Sequence, residues 1–110
     1  MGGSNLFTGT LDLLILRTLK AAPLHGYAIG KSIREGSEGV LAVEEGALYP
    51  ALHRLEGRGL LDAEWGKTGT GRRAKFYRVT PAGAKHLAAE ADRWARYSGA
   101  VAAILGSGAE

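Results

Sequence analysis

The chain has 110 residues, of which 45% are hydrophobic and 23% charged, the composition of one folded domain rather than of a disordered segment. Cysteine is absent, which excludes disulfide and thiolate chemistry and favours a cytoplasmic location. No apolar run approaches the roughly 20 residues that cross a bilayer, so a membrane partner is not expected.

Positive charge is concentrated in the middle of the chain. The formal net charge is +3, but residues 46–80 alone hold seven basic and three acidic side chains, a net charge of +4. A concentrated basic segment favours a polyanionic partner such as nucleic acid. On charge alone, a solvated surface is the alternative.

Two helices are predicted in the first third of the chain. Apolar residues at helical spacing predict helix 1 from Thr10 to Ala21, with Thr8 or Thr10 as its cap and Pro23 as its stop. Leu13 belongs to a second apolar face of this helix, which favours contact with a partner subunit. Helix 2 is expected over residues 26–35.

A third helix is predicted from Glu45 to Arg58. Gly59 is placed to end it, and Pro50 predicts a kink or an irregular turn within it because proline lacks a backbone N–H group. Its inner face would hold Leu48, Leu52 and Leu55.

Two strands are predicted next, over residues 60–67 and 75–80, with a loop rich in glycine and arginine between them. The order of three helices, strand, loop and strand is typical of a winged helix-turn-helix, a mainly α fold with a two-stranded wing (α+β). In that fold the third helix enters the DNA major groove.

The outer face of helix 3 and the wing supply the candidate DNA-binding residues. Tyr49 and His53 can hydrogen-bond bases or phosphates, and small residues before them allow close approach. Alternatively, Tyr49 packs within the protein, the arginines are solvated and the wing is a plain charged hairpin. The complete candidate set is Gly46, Ala47, Tyr49, Pro50, His53, Arg54, Arg58, Arg72, Arg73 and Lys75.

A long last helix is predicted over residues 81–105. Thr80 is a suitable N-cap, Pro81 suits the first helical position and Gly106 would end the helix. A heptad seam is formed by Leu87, Ala91, Trp94, Ser98, Val101 and Leu105. Since nothing else in the chain is left to cover this seam, a second copy is expected to do so.

The predicted organisation is therefore a DNA-binding unit over residues 10–80 and a dimerisation helix over residues 81–105. Residues 1–5 and 106–110 are expected to be flexible ends.

Several motifs occur in an order that resembles the PadR family of transcriptional regulators. They are His-Gly-Tyr at residues 25–27, the segment 46–56, Gly-Leu-Leu at residues 59–61 followed by Trp65, and the segment 71–80. The resemblance spans about residues 11–105 and is closest to the short subfamily, in which a single C-terminal helix makes the dimer. It implies a repressor of detoxification, multidrug-efflux or stress genes that an effector releases from DNA.

The chain departs from the family pattern at the start of helix 3. Many members have Ser-Pro-Gly-Thr where this chain has Glu44, Glu45, Gly46 and Ala47. The departure changes the helix cap and removes a threonine hydroxyl that could contact a base. Two acidic residues would also repel phosphates unless they are turned away or cap the helix.

The resemblance also suggests a ligand site on the last helix. In some short members an aromatic residue there meets its symmetry mate and stacks on flat ligands, and Trp94 matches that position. With Leu13 nearby, a pair of Trp94 rings could hold a flat aromatic or cationic compound. The alternative is that Trp94 only fills the dimer seam. No cofactor is expected, and His25, His53 and His86 are too scattered for a metal site.

The expected function is a homodimeric, sequence-specific repressor, not an enzyme, that binds an inverted-repeat operator in double-stranded DNA. One alternative is a winged-helix module that binds another protein. The other is a ligand-binding dimer without a function on DNA.

Overall fold

The structure, a computed structural model, describes the backbone of residues 2–107 and the side chains of residues 9–106. The elements in chain order are α1 (Gly2–Ala21), β1 (Leu24–His25), α2 (Gly26–Gly36), α3 (Glu45–Gly57), β2 (Leu61–Lys67), β3 (Arg73–Val79) and α4 (Pro81–Ser107). Over the described residues, no helix is long and apolar enough to span a bilayer. This is the predicted winged-helix arrangement with a long last helix.

The core lies where the first three helices meet the base of the sheet. Apolar residues three and four positions apart give each helix one buried stripe. The buried hydrophobic residues are Ile15, Leu16, Leu19, Ile29, Ile33, Leu48, Ala51, Leu52, Leu55, Leu60, Leu61, Tyr77 and Leu87. The predicted inner face of α3 is therefore confirmed.

The sheet has three antiparallel strands in the order β1-β3-β2. Strand β2 pairs with β3 from Leu61 opposite Val79 to Lys67 opposite Arg73. Strand β1 was not predicted, because two residues show no alternation. His25 in β1 also caps α2, since its Nδ1 accepts a hydrogen bond of 3.1 Å from the Ala28 amide.

Helix α1 begins at Gly2, eight residues earlier than predicted. Thr8 and Thr10 therefore lie within the helix, and the prediction that either caps it is wrong. Met1 and residues 108–110 lie outside the described residues, and flexibility of residues 1–5 and 106–110 stays a prediction.

The ends of the other elements agree with prediction more closely. Helix α3 is continuous through Pro50, and Gly59 follows its end with a φ of +77°, a conformation that favours glycine. The Thr80 hydroxyl accepts a hydrogen bond of 3.0 Å from the Gly83 amide, which confirms Thr80 as the cap of α4. Helix α4 continues through Gly106 to Ser107, so the prediction that Gly106 ends it is wrong.

Helix α4 is anchored at its first turns and exposed along the rest of its length. Leu87 is only 4% exposed and belongs to the core of its own chain. The prediction that Leu87 belongs to an intersubunit seam is therefore wrong, because its own chain already covers it. The remaining seam positions begin at Ala91, which is exposed.

Candidate DNA-binding surface

The outer face of α3 is open to solvent. Tyr49 is 43% exposed although its ring also lies over Gly26 of α2, so it combines the two roles that the sequence left open. The other predicted contact residues on this face, Gly46, Ala47, Pro50 and His53, are exposed. This helix can therefore present these residues to a groove of DNA.

The two faces of the wing differ in charge. Residues directly opposite each other on antiparallel strands share a face, so the register places Lys67 with Arg73 and Trp65 with Lys75. These four residues alternate in phase with Tyr77, which is buried toward the helices. The acidic residues Asp62 and Glu64 fall on the opposite face. Arg78 also falls there, opposite Asp62, so three of the four cations of the two strands lie on the side of the wing that continues into α3.

A groove of about 680 Å³ lies between α3, the start of α2 and the wing. Aromatic and cationic side chains line it, among them Tyr27, Tyr49, Trp65, Arg72, Arg73 and Lys75. Cations bind phosphates and aromatic rings pack on sugars and bases, so the groove has the chemistry of a nucleic-acid surface.

Two of the predicted contact residues have partners within the chain. The Arg54 Nη2 atom bonds to the Asp12 Oδ1 atom of α1, and that carboxylate side chain is only 13% exposed. The Lys75 Nζ atom donates a hydrogen bond of 3.0 Å to Glu56 Oε1 of α3. Arg54 is thus held against α1 and Lys75 ties the wing to α3, and DNA contact by either residue stays a prediction.

Other cations of the surface remain available. Over the side chains that the structure describes, Arg58 and Arg72 have no ion-pair partner, and both are exposed. Arg73 is a residue of β3 rather than of the loop tip, and its guanidinium carbon lies 4.5 Å from the centre of the Trp65 ring. Arg58, Arg72 and Arg73 are thus the strongest candidates for phosphate contact.

Two groups at the base of the wing have raised pKa values. The hydrogen bond to Glu56 raises the pKa of the Lys75 ammonium group. Burial raises the pKa of the Tyr77 phenol, because the charged phenolate would lose hydration there. Lys75 therefore stays charged and Tyr77 neutral at physiological pH.

The acidic start of α3 is not used for capping. Glu44 is the N-cap residue, but its side chain makes no cap hydrogen bond, and Glu45 lies in the first turn. Both are exposed, and Glu45 gains from the positive end of the helix dipole. The sequence had left it open whether these residues serve as caps.

A second concave site lies between α1 and α4, with a volume of about 210 Å³. It brings together Leu13 and Trp94, the two predicted ligand-contact residues, and adds Glu90, Arg93 and Tyr97. The Tyr97 ring centre lies 5.9 Å from that of Trp94. Tyr97 was not among the predicted ligand contacts, although it lies three residues after Trp94 on the same helix.

Large apolar side chains are exposed along the second half of α4. Trp94 is 37% exposed and Val101 39%, while Leu105 is 74% exposed. Tyr97 and Ile104, which were not assigned to the predicted seam, extend this exposed surface. The described part of the chain leaves a continuous apolar surface of α4 uncovered.

Fold and surface together define a winged-helix DNA-binding protein. The family model described as "Transcriptional regulator PadR-like family" matches residues 15–89, and the chain belongs to this family. The predicted resemblance is thereby confirmed. The family is one of transcriptional regulators rather than enzymes, so the chain is a DNA-binding transcriptional regulator.

Relatives of similar length support the assignment. An uncharacterised protein of Lysinibacillus sphaericus is 30% identical over 92 residues, which are 84% of each chain. A transcriptional regulator from Clostridium thermocellum has a similar structure, with a TM-score of 0.79, 31% identity and coverage of 89% of this chain and 92% of that one. A PadR family transcriptional regulator from Eggerthella lenta has a TM-score of 0.75 and 35% identity, over 92% of this chain and 86% of that one.

Proposed function

We propose that the protein is a homodimeric, cytoplasmic repressor whose dimer is made by α4. The observation that carries this proposal is the exposed apolar surface of α4, which begins at Trp94 and ends at Leu105. Exposed apolar surface of this extent marks an interaction site, and a heptad seam is complementary to a copy of itself. The partner is therefore a second copy of this chain.

In the proposed complex each protomer inserts α3 into the major groove of one operator half-site. Tyr49 and His53 face the bases, and Arg58, Arg72 and Arg73 contact phosphates. A two-fold dimer requires an inverted repeat, with half-sites separated by about 34 Å, which is one helical turn of DNA.

The proposed effector site is the concave site at Trp94 and Leu13. Flat aromatic or cationic compounds suit it, because the two aromatic rings that line it can stack on a flat ligand and attract a cation. A ligand there would contact both α1 and α4. It would change the separation of the two α3 helices and so weaken DNA binding. If Trp94 only packs the seam, such compounds will not bind.

One experiment tests the proposal. Sedimentation gives the oligomeric state, and fluorescence anisotropy gives the affinity for DNA from the region upstream of the gene, with and without flat aromatic cations. We expect a dimer with sequence-specific binding that weakens as salt increases. Arg72→Ala should lower affinity and reduce the salt dependence, whereas Lys85→Ala, on α4 outside the groove, should do neither. The proposal would be contradicted if the protein bound the upstream DNA no more tightly than DNA of random sequence.

A further inference from the structure

Trp65 is a large aromatic residue that contributes nothing to the buried core. It lies in β2 and is 57% exposed, although it alternates in phase with the buried Leu61. Neither the helix core nor the dimer surface accounts for its position. Its ring lies against a cation of the same groove, the guanidinium of Arg73.

The strand register explains how the two side chains meet. Trp65 lies directly opposite Lys75, and Arg73 is two residues before Lys75 on the same face, so Trp65 and Arg73 are diagonal neighbours. Lys75 is turned toward Glu56 by its ion pair. The cation that contacts the Trp65 ring is therefore Arg73. Its guanidinium carbon lies 4.5 Å from the ring centre, well within the range of a cation–π contact.

A guanidinium stacked on a ring is well suited to bind phosphate. The ring occupies the flat face of the group, whereas its N–H donors lie in the plane and point outward. An arginine on an exposed strand loses side-chain entropy when it binds, and stacking removes part of that loss in advance. The stacked pair is thus a preorganised phosphate donor.

We propose that Trp65 is a positioning residue that holds Arg73 for contact with a DNA phosphate. The proposal rests on the DNA-binding mode given above. It assigns to Trp65 no contact with DNA of its own: its effect on affinity passes through Arg73.

A double-mutant cycle on operator binding tests this assignment. Trp65→Ala should weaken binding about two- to fivefold, the range of an exposed cation–π contact, and Trp65→Phe should weaken it less. In the Arg73→Ala background, Trp65→Ala should have no further effect. In the Arg72→Ala background, which keeps the stacked pair, the full effect of Trp65→Ala should persist. Thermal unfolding of each variant checks that the fold is retained.

A second measurement needs no DNA. In a Trp94→Phe variant Trp65 is the one remaining tryptophan, since the chain has two. Arg73→Ala should change its fluorescence emission, and Arg72→Ala should not. Equal changes from both substitutions would overturn the contact itself.

The outcomes separate the inference from the proposed function. If Arg73→Ala weakens binding and Trp65→Ala does not, or if the two effects add fully, the positioning role is wrong while DNA binding stands. If Arg73→Ala leaves affinity unchanged, Arg73 contacts no phosphate and the inference is likewise overturned. If the unmodified protein binds no operator, the proposed function fails and the positioning role fails with it.

Discussion

The ring of Tyr49 lies directly over Gly26. A Cβ atom at residue 26 would be 2.5 Å from Cε1 of Tyr49 and 2.7 Å from its hydroxyl oxygen, distances that real Cβ atoms do not show. Gly26 begins α2 and Tyr49 lies on the outer side of α3. The glycine of the His-Gly-Tyr motif therefore sets the position of an aromatic side chain on the candidate DNA-binding surface.

Gly26→Ala is expected to displace the Tyr49 ring without unfolding the domain. The ring is 43% exposed and can swing toward solvent, so the free energy of unfolding should fall by about 1 kcal/mol or less. DNA affinity should fall by the same factor as in a Tyr49→Ala variant measured in parallel. Urea denaturation and fluorescence anisotropy measure the two effects.

Gly83→Ala is the matched control, since the obstruction there is backbone. A Cβ atom at residue 83 would lie 2.1 Å from the carbonyl oxygen of Leu60, which cannot move aside. We expect this variant to lose about 3 kcal/mol or more of stability. If Gly26→Ala were equally destabilising, or left affinity unchanged, the role given to Gly26 would be wrong.

Local pattern was enough to predict most of the fold. Leucines at helical spacing located α3 and its buried face, and Thr80 with Pro81 located the start of α4. Each of these signals depends on neighbours a few residues away. The start of α1 and the two-residue strand β1 were missed, because β1 exists only through its pairing with Tyr77 and Phe76.

The candidate site was predicted less completely, because its charges form pairs over long sequence separations. Arg54 and Asp12 are 42 residues apart, and Lys75 and Glu56 are 19 apart. Residue type and helix face predict only that Arg54 lies at the surface. They do not distinguish an arginine that binds DNA from one that binds Asp12. The stacking of Arg73 on Trp65 likewise depends on strand register, and the sequence left the register open.

Arg54→Ala and Arg58→Ala are expected to lower different properties: Arg54→Ala the stability, and Arg58→Ala the affinity for DNA. Removal of the Arg54 guanidinium leaves the mostly buried Asp12 carboxylate without its partner, so unfolding free energy should fall by about 1–2 kcal/mol while DNA affinity changes little. Arg58 is exposed and unpaired in the described structure, so its loss should weaken DNA binding and leave stability unchanged. Thermal unfolding and a salt titration of binding measure these effects. A loss of affinity in Arg54→Ala at unchanged stability would instead show that Arg54 contacts DNA.

The protein is expected to lose stability in alkaline solution. The folded-state pKa of Tyr77 is raised above its ordinary value of 10.0 by burial, and that of Lys75 is raised above 10.5 by its bond to Glu56. Both groups hold protons more tightly when folded, so their contribution is complete below about pH 10 and is lost as the pH rises beyond that value. The melting temperature should fall between pH 9 and pH 11, and Tyr77→Phe should reduce that fall by roughly a few degrees.

Glu44→Ser is expected to improve both stability and DNA affinity. A serine hydroxyl at the N-cap can accept a hydrogen bond from the first turn of α3, which the Glu44 side chain does not do, and should add about 0.5–1 kcal/mol. The substitution also removes a negative charge near the phosphates. Glu64→Ser removes the same charge from the outer face of the wing, where there is no helix to cap. Glu64→Ser should therefore leave stability nearly unchanged and raise DNA affinity less than Glu44→Ser does. If the two substitutions had equal effects on stability, the serine at residue 44 would not be acting as a cap.

Val101→Asp should convert the protein to monomers. Val101 lies in the middle of the exposed apolar surface of α4, and a carboxylate buried against its own symmetry mate would be strongly unfavourable. Because a monomer engages one half-site at a time, operator affinity should fall by about 100-fold or more, the gain that a second linked site provides. Ala103→Asp places the same charge on the opposite side of the helix and should leave the dimer intact. Sedimentation equilibrium and anisotropy give the two readouts. A Val101→Asp protein that remains dimeric would show that α4 does not form the interface through this surface.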